Sequence, residues 1–231
     1  MFEREHHRRI AIVLAALDGE RLLGCRCLFG GGTAIALRYG EYRESVDIDF
    51  IVSDRAGYRD LRQAIDSADG LRAIVRPGHE LQQSREVRAD QYGIRTRVRV
   101  GDAEIKLEIV LEGRIALEPP GPEDCLAGIA TLTPLDMATT KLLANVDRWA
   151  DDAVHSRDLI DLAMMRPPRP LLRAAIDKAA GAYGASVADR LQKAVARLRE
   201  NPHRLGECMR AMRISTVSKA QLWQAIRRLA P

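Results

Sequence analysis

Ser45-Val46-Asp47-Ile48-Asp49-Phe50-Ile51-Val52 is the stretch that decides the fold class, because it reads as a strand with two unlike faces. Alternation sends Asp47, Asp49 and Ile51 one way and Ile48, Phe50 and Val52 the other. Two carboxylates at adjacent same-side positions lie about 6–7 Å apart at the backbone, since each residue rises about 3.3 Å. Like charges that close repel unless something positive stands between them, and hard divalent cations with oxygen ligands fill that role. An isolated pair of this kind is most simply a strand end whose aspartates face water, so its meaning depends on its surroundings.

Upstream, the short strand Cys27-Leu28-Phe29 runs into Gly30-Gly31-Gly32, and Thr33 to Tyr39 reads as a helix. Glycines there permit close backbone approach, and amides at a helix start favour phosphate oxygens. Thr33 supplies a hydroxyl that can donate or cap. Downstream, residues 94–100 and 104–109 alternate strictly, with Gly101-Asp102 as a two-residue turn. Pairing Val100 with Ala103 sets Val98 opposite Ile105 and Thr96 opposite Leu107 on an apolar face. The other face then carries Arg99 opposite Glu104, Arg97 opposite Lys106 and Arg95 opposite Glu108. Glu108 thus becomes a third carboxylate on an open sheet face, although Arg95 opposite it also fits a simple cross-strand ion pair. Three carboxylates and a phosphate-binding turn match metal-dependent phosphoryl transfer, with Asp47, Asp49 and Glu108 as the metal ligands.

Around this centre the signals divide. Helical patterns at 4–18 and 58–67 mix with strand-like segments at 71–76, 85–90, 94–100 and 104–111. Beyond the breaker Glu118-Pro119-Pro120-Gly121-Pro122 they turn helical, at roughly 134–147, 156–165, 169–183, 186–199, 202–212 and 218–229. An α+β fold is expected: a mixed sheet with helices over residues 1–120, then an all-helical domain over 121–231. The chain has 231 residues, 46% of them apolar and 29% charged, ordinary values for a globular protein. No apolar run approaches the roughly 20 residues that cross a bilayer, and the charged Met1–Arg9 stretch is no signal peptide, so a cytoplasmic protein without a membrane partner is expected. Cys25, Cys27, Cys125 and Cys208 are expected to be reduced and mostly buried. His6 and His7 fit a solvated helix face. A net charge of +4 and a pI near 9.0 permit a nucleic-acid partner without requiring one. Arg190, Lys193, Arg197 and Arg199 read as a solvated helix face, and Trp223 as packing of the last helix.

Gly31-Gly32-Thr33-Ala34 followed by Arg43-Glu44-Ser45-Val46-Asp47-Ile48-Asp49-Phe50 resembles the GGTA…RxSxDIDF signature of the AbiEii/AbiGii nucleotidyltransferases, within the DNA polymerase β-like superfamily. Lys106-Leu107-Glu108-Ile109 is similar to that family's strand with a third acid. Thr140-Lys141-Leu142-Leu143-Ala144 and Arg157-Asp158-Leu159-Ile160-Asp161-Leu162 resemble its later lysine helix and RDLxDL motif. The resemblance spans roughly residues 25–165. It implies an NTP and Mg²⁺ (or Mn²⁺) between the two domains, with Asp47 and Asp49 as ligands and Glu108 as a further ligand or a base. It implies that Gly31, Gly32, Thr33, Arg43 and Ser45 serve the nucleotide, that Lys141 reaches the triphosphate, and that Asp158 helps build the site. The family includes toxins of type IV toxin–antitoxin systems, which implies a cognate antitoxin and an acceptor hydroxyl on a tRNA 3′ end, another RNA or a protein.

Two departures stand out. The family usually has Gly-His-Arg where this chain reads Gly40-Glu41-Tyr42-Arg43, and more often aspartate where Glu108 stands. Arg157, Asp158 and Asp161 also fit a helix start, where acids complement the dipole, and Lys141 alone would read as a solvated charge. The same fold admits a small-molecule (aminoglycoside-like) nucleotidyltransferase or a catalytically silent binding module. An acidic surround favours the former, and indifference to loss of Asp47 or Asp49 marks the latter.

Overall fold

The computed structural model describes residues 2–230. In chain order the elements are α1 (Glu5–Ala16), α2 (Gly19–Gly24), β1 (Cys27–Gly30), α3 (Gly31–Arg38), β2 (Ile48–Val52), α4 (Arg55–Ile65), β3 (Gln82–Ala89), β4 (Gly93–Val100) and β5 (Ala103–Leu111). There follow β6 (Cys125–Leu126), β7 (Ile129–Ala130), α5 (Pro134–Arg148), α6 (Arg157–Met164), α7 (Arg169–Tyr183), α8 (Ser186–Glu200), α9 (Pro202–Ala211) and α10 (Lys219–Arg227). The fold is α+β: a mixed sheet with helices, then a helical carboxy-terminal region. Two compact units form. The first holds the residues up to Leu37 together with Ser45–Thr133, and the second holds Arg38–Glu44 together with the chain from Pro134 onward.

In the first unit the sheet order is β1-β2-β5-β4-β3. β2 runs antiparallel to β1 and parallel to β5, and the other neighbours are antiparallel. The β4–β5 hairpin has the register that alternation predicts, from Val100↔Ala103 through Arg95↔Glu108. One face of the sheet is buried through Ile48, Phe50, Val52, Ile94, Val98, Ile105, Leu107 and Ile109. Ile10, Val13 and Leu14 of α1 and Tyr58, Leu61 and Ile65 of α4 supply the helical half of that core. Each such aliphatic side chain contributes about 1.5–3 kcal/mol on full burial. Phe29 and Phe50 meet across the β1–β2 pair with ring centroids 5.7 Å apart. The other face keeps the charged residues.

Several expectations change. Residues 70–74 form a 3₁₀ turn in place of a strand. α2 and the β6–β7 pair are too short to show a period, and β6–β7 follows the proline-rich stretch while remaining in the first unit. His7 is fully buried and not on a solvated face, because it lies one helical turn from Ile10. Among the cysteines, all free thiols, Cys27 and Cys208 are buried but Cys125 is exposed. Among the described residues no helix is long and apolar enough to cross a membrane.

Gly57 offers a test of the packing. It lies in the first turn of α4, where its amide caps onto Asp54, and a β-carbon there would fall 2.2 Å from the Cys25 carbonyl oxygen. Alanine should gain up to about 1 kcal/mol from helix propensity. The backbone clash should cost more, so Gly57→Ala is expected to lower stability by about 1–2 kcal/mol, read as a reduced urea midpoint.

Candidate active site

The two aspartates owe their positions to three neighbours. Gly30 pairs with Asp49 across β1–β2, and Asp49 pairs with Glu108 across β2–β5. Gly31 follows at once with φ +67°, which turns the chain from strand into α3. A β-carbon on Gly31 would lie 2.5 Å from Asp49 Oδ2 and 2.9 Å from its Cβ, so the carboxylate nests where only a hydrogen fits. That close approach is the physical reason for glycine at this position.

Just before β2 a buried polar chain fixes the approach. Thr33 Oγ1 donates to the Asp47 carbonyl at 2.5 Å and lies 2.7 Å from Ser45 Oγ. The Ser45 amide donates to His7 Nε2 at 3.1 Å, and the His6 ring bonds the Val46 carbonyl at 3.0 Å. Thr33 is 1% exposed, so its hydroxyl serves the backbone that carries Asp47. His7, absent from the expected set, therefore helps to hold the segment leading into the carboxylates.

Glu108 has the company of cations. Arg95 Nε donates to Glu108 Oε1 at 2.6 Å, and Lys106 Nζ bonds Oε2. Partial burial would raise its carboxyl, but these two donors hold it below the usual glutamate range. Lys106 loses by desolvation and is raised nonetheless by Glu108, with Asp49 and Asp47 contributing. Among the described residues no three His, Cys, Asp or Glu side chains are grouped as a ready-made metal cage. Asp47, just before β2, and Asp49 within it are half-exposed oxygen donors, the ligand type suited to a hard cation.

A second cluster is built in the helical unit. After left-handed His155 and Ser156, the first turn of α6 sets Asp158 and Asp161 on one side, three residues apart. Asp161 is fully buried and accepts from Tyr42 Oη at 2.6 Å, from Arg43 at 2.7 and 3.0 Å, and from Lys141 Nζ at 2.7 Å. Asp158 accepts from Lys141 at 3.0 Å and from Arg148 at 2.6 and 2.9 Å. Burial alone would raise both carboxyls, but Arg43 and Lys141 hold Asp161 well down, and Lys141 and Arg148 hold Asp158 down. Of the expected site residues, Arg43, Lys141 and Asp158 thus meet here, joined by Tyr42, Arg148 and Asp161. Gly31, Gly32, Thr33, Ser45, Asp47, Asp49 and Glu108 belong to the first unit. Arg148, at the end of the helix that carries Lys141, gave no sequence signal, because an arginine ending a helix is ordinary.

The family model for the nucleotidyl transferase AbiEii toxin of type IV toxin–antitoxin systems matches residues 12–229. The chain belongs to the AbiEii family. It is accordingly a nucleotidyltransferase, and NTP is the substrate class of its family. No curated protein matches it. A crystal structure from H. pylori assigned to the nucleotidyltransferases has the same fold, with TM-score 0.57 and 16% identity over 99% of this chain and 96% of that one.

For this AbiEii-family chain, Asp161→Ala should cost about 3–5 kcal/mol, because it leaves Arg43 buried without its main counter-charge. Both aspartates titrate lower folded than unfolded, so their stabilisation is complete above the ordinary aspartate pKa of about 3.9 and is lost as pH falls below it. Urea midpoints of the wild type should therefore drop steeply below about pH 4, and those of Asp161→Asn less so. Gly31→Ala should displace Asp49, and a misplacement near 1 Å is expected to reduce nucleotide transfer on the order of 100-fold in a steady-state assay.

Proposed function

We propose that this chain transfers a nucleoside monophosphate from an NTP to the terminal hydroxyl of an RNA, with Asp47 and Asp49 as the ligands of Mg²⁺ or Mn²⁺. The observation that carries the reading is the nesting of the Asp49 carboxylate against Gly31, with Asp47 two residues earlier, just before β2. The acceptor oxygen bonds to the α-phosphorus, the bond to the bridging oxygen of the β-phosphate breaks, pyrophosphate leaves and the hydroxyl proton passes to water. A bound divalent ion supplies charge neutralisation at the phosphate oxygens. The chain's part is to hold the reacting groups in line: Gly31 and Gly32 let the phosphates approach the backbone, and Thr33 and Ser45 fix the strand that carries the aspartates.

Glu108 serves better as a fixed anion than as a base, since two cations sit on its carboxylate. In this reading it orients Lys106 towards the aspartates rather than accepting the acceptor's proton. Lys141 is the triphosphate ligand. Asp158 keeps Arg148 and Asp161 keeps Arg43 when Lys141 exchanges a carboxylate for phosphate oxygens, so Lys141 is the member that can leave without orphaning either acid. The cations around Asp49 favour an anionic acceptor over a cationic small molecule. Membership of a type IV toxin family supports a toxin role and a cognate antitoxin.

Incubation with each labelled NTP, Mg²⁺ and total cellular RNA tests the reading. Label should enter RNA with the wild type, fall by on the order of 1,000-fold with Asp49→Ala, and vanish with EDTA. Label that enters RNA equally with Asp47→Ala or Asp49→Ala would sink the metal assignment, and label confined to protein would move the acceptor.

A further inference from the structure

The open face of the sheet carries more positive charge than strand pairing can balance. Along the row that starts at Asp49, the same-face partners are Glu108, Arg95 and Arg88. The next row runs Lys106, Arg97 and Arg85, and the third runs Glu104, Arg99 and Gln82. Glu108 and Glu104 are taken by Arg95, Lys106 and Arg99. The guanidinium groups of Arg85, Arg88 and Arg97 form no ion pair or hydrogen bond among the described residues, and Arg85 and Arg88 are exposed. Like charges directly opposite destabilise a sheet, yet Arg97 has Lys106 on one side and Arg85 on the other, and Arg88 faces Arg95.

The edge strand is built to produce this. Its register against β4 shifts twice, between Gln83 and Arg85 and again between Arg85 and Arg88. Arg85 and Arg88 are three apart, so a regular strand would point them to opposite faces. Continued without shifts from Gln83↔Val98, β3 would place Ser84 opposite Arg97 and Glu86 opposite Arg95. The irregularities bring Arg85 and Arg88 into the rows of the open face, the re-aiming that bulges perform beside functional sites. An edge strand needs charge to discourage edge pairing, but Glu86 would serve that purpose equally.

We infer that the open face formed by Arg85, Arg88 and Arg97 is the track for a single-stranded RNA end, whose backbone crosses β3 and β4 towards Asp49. The inference rests on the nucleotidyltransferase reading above and names the acceptor as a polynucleotide. Planar guanidinium groups match phosphate oxygens two at a time, and same-face positions about 6–7 Å apart along each strand suit successive phosphates. A positively charged groove that tracks the backbone is how single strands are held without sequence preference.

The test is fluorescence anisotropy of the full-length protein with a labelled single-stranded RNA of about a dozen nucleotides, without NTP or metal, over a range of salt concentrations. The wild type should bind with a steep salt dependence. The triple variant Arg85→Gln/Arg88→Gln/Arg97→Gln should bind at least about tenfold more weakly, with the log–log salt slope reduced by about 2, since each phosphate left without its cation lowers the slope by about 0.7. Lys193→Gln/Arg199→Gln, on α8, should behave as wild type, and circular dichroism should show all variants folded. RNA binding unaltered in the triple variant would overturn the inference, as would a triple variant defective only on phosphatidylserine vesicles or an acidic peptide. The Asp47→Ala/Asp49→Ala protein should still bind RNA. Binding through the arginines with no label transferred by the wild type would reject the transfer reading alone, whereas transfer to RNA intact in the triple variant would reject the track alone.

Discussion

A sheet covered by helices on one side has to send every charge to the other, and most of what is particular to this chain follows from that division. β2 supplies three apolar residues to the core and keeps Asp49 and Ile51 for the far face. β4 and β5 obey the same rule, so that acids and bases from separate parts of the sequence assemble on one surface without any being chosen for its neighbours. The parallel pairing of β2 with β5 sets Asp49 beside Glu108, and a one-residue slip would have replaced that acid by Leu107 or Ile109.

The helical unit solves the opposite problem, since it puts charge inside. Two buried carboxylates meet three buried or half-buried cations and a tyrosine hydroxyl, and the geometry saturates both acids. Burial raises the cost of each ion, and only a near-complete set of partners offsets it. As a means of holding α5, α6 and the 38–44 segment together, well-packed aliphatic side chains would do at least as well.

Alternation and turn chemistry made the central part of this arrangement readable from the sequence. The β4–β5 register follows from strict period-2 patterning closed by Gly101-Asp102, and the same pattern puts Glu108 on the open face. Most of the long helices beyond residue 134 were equally legible, because their apolar residues recur over many turns. What escaped has a common cause, in that it depends on contacts the local pattern does not encode. α2, β6 and β7 are shorter than a detectable period. The β3 irregularities look like ordinary alternation until the partner strand is known. His7 looked solvent-facing because a histidine pair near a terminus carries no sign of Ser45, and Asp161 looked like a helix-start acid because nothing local announces Arg43. The grouping of Arg43 with Lys141 and Asp158 came from kinship first, and its physical content, a shared carboxylate, came only with the three-dimensional structure.

The assignment of Arg38–Glu44 to the helical unit has a consequence for how the chain can be divided. The polypeptide leaves the first unit after Leu37 and rejoins it at Ser45, and in that excursion Gly40 and Glu41 turn with positive φ so that Tyr42 and Arg43 reach Asp161. A cut between Thr133 and Pro134 therefore separates no self-sufficient halves. The amino-terminal fragment would carry an arginine and a tyrosine made for an acid it has lost, and the carboxy-terminal fragment would keep Asp161 with one of its cations missing. The topology makes the two units a single heritable object: neither can be traded for a foreign counterpart by simple recombination at the linker, and a length change within residues 38–44 is felt at both ends of the excursion.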